Sequence, residues 1–325
     1  MADVILTGFS DEVSEDKDIR VQLSVFRALG LSYYTVRFVN LDGQVKNVIR
    51  LTDDEARRLK SINDSFGINV SSIGSPIGKV KIADFEDGTS NIYVPIDKYI
   101  ETDVKRAFDI AHILETKLLR GFSFYPPRGE DPWKYLDRAV EYIGMIADAC
   151  KKEGLYLGLE VEANLVGRDG KTLRAIYDKV GSENLMLVFD GANLVVQGFS
   201  EEEVLMHYEE MRPGIGWIHV KDYRAGNLAK SGYVKEDELT DFVPVGMGNS
   251  GYRRIFERLR DDLPSISSKL ISKGIPGFFL DLEPHLKSGG QFGGFSGPDG
   301  MGIAFRALLQ LLDEVGITYS LAKWG

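Results

Sequence analysis

Short apolar runs alternate along the chain with longer stretches in which apolar residues recur every three or four positions. The runs at 4–9, 33–39, 68–74, 118–127, 156–164, 185–193, 216–222 and 277–284 are each long enough for a strand. They are apolar on both faces, as parallel strands covered by helices must be. The stretches between them carry helix signals. Ile19, Leu23, Phe26 and Leu29 share one helix face, with Ser14 as the expected cap and Gly30 as the stop. Thr52 with Glu55, and Ser200 with Glu203, have the spacing of a capping box. Pro132 opens a helix that Gly154 closes. Further helices are predicted over 96–115, in KTLRAIYDKV, from Tyr252 to Leu263 with an extension to Ser272, and over 300–315.

Eight strand-plus-helix units predict an α/β fold, a single (β/α)8 TIM barrel over 1–325 with long loops at its C-terminal face. An open doubly wound sheet is the runner-up. That fold places a glycine-rich phosphate turn after its first strand, and GFSDEVSED at that position has no G-x-G-x-x-G. The longest loops fall at about 75–95 and 222–250.

Catalytic residues of a barrel sit at the C-terminal ends of its strands. The fifth run ends on Glu160 and Glu162, and the sixth on Asp190. The seventh carries His219, with Lys221 and Asp222 beyond it, and the eighth ends on Glu283 and His285. One acid at a strand end is ordinarily a turn residue or a helix cap. Four neighbouring strands that each end this way form a pattern. Three carboxylates and one imidazole are an oxygen-rich ligand set that suits Mn2+, Mg2+ or Co2+ and tolerates Zn2+. Carboxylates crowded together raise one another's pKa. A divalent ion removes that cost and polarises a bound carbonyl.

Composition narrows the partners. The chain has 325 residues, 43% of them hydrophobic, and a net charge of −10. An acidic surface disfavours nucleic acid. Cys150 is the single cysteine, so neither an intrachain disulfide nor a Cys-rich zinc site can form. MADVILTGF lacks the pattern of a signal peptide, and no stretch approaches the ~20 apolar residues of a membrane span. The expectation is a cytoplasmic homo-oligomer acting on a small molecule, with no nucleic acid and no membrane.

The segments GLEVEAN, LVFDGAN, WIHVKD and LDLEPHL, in this order, resemble the sugar isomerase/epimerase superfamily with a xylose isomerase-like barrel. The resemblance spans essentially the whole chain. It is similar in style to the ketose 3-epimerases and to the catalytic subunit of bacterial C-glycoside deglycosidases. The resemblance implies one divalent metal, Mn2+ first, held by Glu160, Asp190, His219 and Glu283. It also implies that Glu160 and Glu283 move protons on opposite faces of a sugar. The function implied is a metal-dependent sugar isomerase or epimerase that abstracts a proton beside a carbonyl. The alternative is a lyase that cleaves 3-oxo-glycosides by the same abstraction followed by elimination, partnered by a small second subunit. Two further readings are weaker. A repair nuclease on this barrel needs several histidines for a zinc cluster, and the chain has four in all. A non-catalytic sugar binder would hold no ion.

Departures from the epimerases leave the reaction open. Asn193 stands where they usually carry a substrate-touching histidine. Arg224 lies near their loop arginine in a different register. The tail GGQFGGFSGP is not one of their hallmarks.

The expected substrate-binding set is Arg37, Glu162, Asn193, Lys221, Arg224 and His285. A charge such as Arg37 inside a barrel strand needs a partner, which makes it a bridge to mouth carboxylates or a substrate contact. Lys221 and Asp222 read as a surface pair, or Lys221 as a holder of an oxyanion or carboxylate. His285 reads as a substrate contact or as loop packing. His112 and His207 read as packed helix histidines. Phe122, Phe124 and Trp133 read as core or as a wall for a sugar face. Lys79 sits in a loop without a phosphate-binding signature. Gly289, Gly290, Gly293 and Gly294 suit a mobile lid, and Glu283 is expected at the rim, where its loss leaves the fold intact.

Overall fold

A computed structural model describes residues 3–226, 233–235, 238–289 and 294–322. Eight parallel strands form one sheet: β1 (Ile5–Gly8), β2 (Tyr33–Val36), β3 (Asn69–Ile77), β4 (Leu118–Gly121), β5 (Tyr156–Glu160), β6 (Leu185–Asp190), β7 (Ile215–Val220) and β8 (Phe279–Leu282). From β2 to β8 each strand pairs with the next, and β8 pairs with β1 in parallel. A parallel bridge from Phe9 to Thr35 joins β1 to β2 and brings the sheet round to a barrel.

The helices between the strands are α1 (Ile19–Ala28), α2 (Asp53–Phe66), α3 (Lys105–Ile113, preceded without a break by helical turns from Ile96, as expected), α4 (Leu136–Glu153), α5 (Gly170–Val180), α6 (Glu201–Met211) and α7 (Tyr252–Ser272), and α8 (Gly297–Val315) follows β8. The capping boxes at Thr52–Glu55 and Ser200–Glu203 both form. Gly154 closes α4 in the left-handed conformation, at φ 68°. The cap of α1 is Asp18 rather than Ser14. Its carboxylate accepts from the backbone N of Arg20 and Val21, while Ser10–Val13 coil as a 3-10 turn and the Ser14 hydroxyl turns to Asp16.

Several strands end earlier than their apolar runs. After β4 the chain leaves the sheet, and Phe124 takes a left-handed φ of 68°. After β6, Asp190 caps a short helix, Gly191–Val195, by accepting from Asn193 N at 3.0 Å. GAN is therefore helix, not strand.

Apolar side chains fill the space between barrel and helices. The barrel also encloses polar groups. Thr7 and Ser71, and Thr35 with Ser71 and Ser72, lie 2.9–3.0 Å apart, and Thr35 donates to Asp281 at 2.5 Å. Most buried polar atoms are paired, and this network pairs the barrel's hydroxyls. No helix among the described residues is long and apolar enough to cross a membrane.

Candidate metal centre and active site

Register brings the strand ends together. Asp190 on β6 lies beside His219 on β7, and His219 lies beside Asp281 on β8. One ligand atom each from Glu160, Asp190, His219 and Glu283 falls within 4.8 Å of all the others, and all four residues are buried. Two atoms of this group could serve a cation. Asp190 Oδ2 and His219 Nδ1 are both buried, and neither makes an aligned hydrogen bond. His219 Nδ1 does approach Glu160 Oε1 at 3.3 Å and Glu283 Oε2 at 3.9 Å. Donor atoms that converge in this way could hold a divalent ion once the imidazole gives up its Nδ1 proton, and the oxygen-rich set suits a hard one.

The other side of His219 is supported. Its Nε2 lies 3.3 Å from the Trp217 indole nitrogen and 3.9 Å from Asp281 Oδ2. The Phe9 ring meets the imidazole edge-on at 5.1 Å. Gly158 on β5 makes room for Trp217, because a Cβ there would come within 2.0 Å of the indole ring.

Cations surround the acids. Lys221 Nζ lies 2.9 Å from both Asp190 Oδ2 and Glu283 Oε2. Arg37 bridges Asp11 at 3.1 Å and Glu283 Oε1 at 2.6 Å. Arg120 approaches Glu160 at 3.4 Å and Glu283 at 3.7 Å. Both guanidinium groups lie over the Phe9 ring, at 4.5 and 4.9 Å. Burial opposes ionisation of Glu160, but the charges of His219 and Arg120 outweigh it and hold its carboxyl at about 2. Burial likewise opposes Glu283, which Lys221, His285 and Arg37 hold well below the carboxylate range. Burial dominates at Asp190 and pushes it up to about 6 despite Lys221. Lys221 itself stays charged, since Asp190 and Glu283 overcome its desolvation.

The cluster opens into a cavity of about 320 Å³. Arg37, Arg120, Glu160, Glu162, Asn193, Lys221, Glu283 and His285 line it. Asn193 donates to Glu160 Oε1 at 3.0 Å, and Lys79 pairs with Glu162 at 2.8 Å. The loops around 78–95 and 222–250 contribute Lys79, Ile92, Val234, Leu239 and Phe242 to the walls.

Several expectations change. Arg224 is exposed and is not among the lining residues. Lys221 and Asp222 are no surface pair, with exposures of 5% and 1%. Asp222 instead accepts from Gly246, Gly248 and Ser250 N, tying down the returning end of its loop. Glu283 is not at an open rim but 2% exposed. His112 is exposed and pairs with Glu153 at 3.1 Å, whereas His207 is buried. Phe122 and Phe124 are buried, but Trp133 is exposed. Of the lid glycines, Gly289 lines the cavity and Gly294 packs on His285, while Gly290 and Gly293 lie outside the described residues.

Four residues of the site were not anticipated: Asp11, Glu12, Arg120 and Asp281. Glu12 is fully buried in the 3-10 turn after β1. It accepts from His285 N, pairs with His285 Nδ1 and accepts from Ser296 Oγ. Glu12, Glu283 and His285 also lie close enough to suggest a second metal group. Both oxygens of Glu12 are already engaged, so we read Glu12 with His285 and Ser296 as a hydrogen-bond hub. The signals for Arg120 and Asp281 were available. Arg120 is a charge inside an apolar run, like Arg37, and Asp281 shares a strand face with Glu283 by period two.

An eight-stranded parallel barrel with a carboxylate–histidine cluster at the C-terminal ends of β5 to β8 defines a class of barrel protein. The sequence matches the family described as xylose isomerase-like TIM barrel over residues 24–265, and the chain belongs to that family. No curated protein matches it. Among solved structures, a xylose isomerase-like TIM barrel protein from Mycobacterium smegmatis in complex with magnesium aligns with a TM-score of 0.63 at 18% identity, covering 97% of each chain. D-psicose 3-epimerase with D-tagatose from Clostridium cellulolyticum H10 aligns at 0.60 and 13%, covering 98% of this chain and 99% of that one. The probable 3-DHS dehydratase AsbF from Bacillus anthracis aligns at 0.61 and 14%, covering 94% and 98%. At these identities the likeness is one of fold.

Proposed function

We propose that the chain is a metal-dependent enzyme that removes a proton beside the carbonyl of a keto sugar or sugar derivative and returns it to give an epimer or isomer. The observation that carries this reading is the convergence of Glu160, Asp190, His219 and Glu283, of which Glu160 and Glu283 line a cavity of about 320 Å³. Relatives by fold that bind magnesium or are named as a 3-epimerase support it. The four residues would hold the ion, Mn2+ or Mg2+ by donor type, which supplies a Lewis acid for the substrate's oxygens.

The chain's own residues do the rest. Glu160 is ionised at neutral pH, the form a proton acceptor needs, and loss of the His219 and Arg120 charges from its side would raise its basicity. Asn193 fixes its Oε1. Glu283 serves the second proton transfer, and Arg37, 2.6 Å from its Oε1, sustains its charge. His285 and Glu162 face the same space and bind substrate hydroxyls.

A second reading has its own support. Elimination needs a donor to protonate the departing group. His285 lines the cavity with Nε2 at 3.9 Å from Glu283, and its Nδ1 is engaged by Glu12. That arrangement suits a β-elimination on a 3-oxo-glycoside, and one relative by fold is named a dehydratase. A panel of keto sugars and 3-oxo-glycosides, assayed with Mn2+, Mg2+ and Co2+, separates the two. Epimer or isomer supports the first, released aglycone supports the second, and neither product from metal-loaded protein counts against both.

A further inference from the structure

Each carboxylate of the candidate ligand set already faces a cation. Glu160 faces Arg120, Glu283 faces Arg37 and Lys221, and Asp190 faces Lys221. The two guanidinium groups are anchored outside the set. Arg37 also binds Asp11, and both rest on Phe9. Lys221 differs, because both carboxylates it touches are candidate ligands. Its ammonium is 2.9 Å from each, yet Asp190 Oδ2 gains no aligned hydrogen bond from it. The contact at Asp190 is therefore one of charge more than of directed bonding. Lys221 is 5% exposed and lines the cavity, so its head group borders open space.

We propose that the Lys221 ammonium is the resident counter-ion of this cluster and that a divalent ion binds by exchange with it. The inference rests on the four-ligand reading of the site. An ammonium and a divalent ion contest the same two carboxylates at a few ångströms. Repulsion at that range, even at an effective dielectric constant of about 20, is worth a factor of about ten or more in affinity. A four-carbon stem lets a lysine head group move where a guanidinium clamped on two sides cannot. The metal-free protein then keeps its buried acids neutralised. The loaded protein presents Lys221 to an oxygen of the substrate, so metal loading and substrate recognition are coupled through one side chain.

The test is metal affinity, read without substrate. The protein and Lys221→Met are stripped with a chelator and titrated with Mn2+, with free ion counted by its electron paramagnetic resonance signal. Exchange predicts one site in both and binding about tenfold or more tighter in the variant. It also predicts a larger Mn2+-induced rise in Tm for the variant. Equal or weaker binding in the variant overturns the exchange and leaves the four-ligand site standing. No Mn2+ binding by the unmodified chain overturns both. If Lys221→Met does not fold without metal, Lys221→Gln and Lys221→Arg take its place. The neutral glutamine then tightens binding and the charged arginine does not, and the reverse order overturns the proposal.

Discussion

Glu12 holds His285 at two points: one carboxylate oxygen accepts from the backbone N at 2.9 Å, and the other meets Nδ1 at 2.7 Å. The same carboxylate accepts from Ser296 Oγ at 2.7 Å, and Ser296 N donates to the Glu12 carbonyl at 2.9 Å. His285 is held here in a left-handed conformation, φ 52°, that non-glycine residues seldom adopt. Gly294 leaves the space its ring fills, since a Cβ there would fall 1.6 Å from Nδ1. The turn after β1 thus sets the geometry of the segment after β8.

Removing that carboxylate strands several buried donors at once. Charge-assisted hydrogen bonds contribute roughly 1.5–3 kcal/mol each, and their losses do not add fully. Glu12→Ala is expected to lower stability by about 2–4 kcal/mol, read as a shift in the urea midpoint at unchanged slope. A midpoint equal to that of the unmodified protein contradicts the hub.

How much of this was legible in the sequence depends on where each residue's partner lies. Glu160, Asp190, His219 and Glu283 were legible because each ends one of four consecutive strands, so topology alone gathers them. Glu12 was not, because acids in SDEVSED look like a solvated turn, and its partner is 273 positions away. Arg120 finds Glu160 only once β4 and β5 pair. The barrel itself followed from the alternation of runs. The strand ends did not, because Phe124 and Asp190 turn the backbone by local geometry that apolar periodicity does not encode.

Asp281 provides a pH test. Burial pushes its carboxyl up to about 7, while Thr35 donates to Oδ2 and Oδ1 has no partner. Between about pH 4 and 7 the folded protein keeps a proton that the unfolded chain has released. Stability therefore falls as pH rises through that window. Asp281→Asn keeps the shape and the Thr35 bond but cannot ionise. In metal-free protein the variant is expected to be more stable than the parent by roughly 2–4 kcal/mol at pH 8, with the gap closing towards pH 4. A gap that stays constant with pH contradicts this account.

Glu283→Gln follows from burial. The carboxylate neutralises Arg37 and Lys221 inside the barrel, so its loss leaves two buried cations short of a partner. Breaking such a pair costs about 3–5 kcal/mol. The variant is expected to lose Mn2+ binding by calorimetry and to melt well below the parent even without metal. Normal metal binding in the variant removes Glu283 from the ligand set.

The central claim is proton abstraction beside a carbonyl, and isotope exchange tests it most directly. Metal-loaded protein is incubated in heavy water with keto sugars and 3-oxo-glycosides, and deuterium at the carbon next to the carbonyl is followed by NMR. The account predicts deuterium in recovered substrate, epimer or cleavage product, abolished by a chelator and by Glu160→Gln. Stoichiometric metal with no deuterium, no epimer and no cleavage across the panel contradicts it.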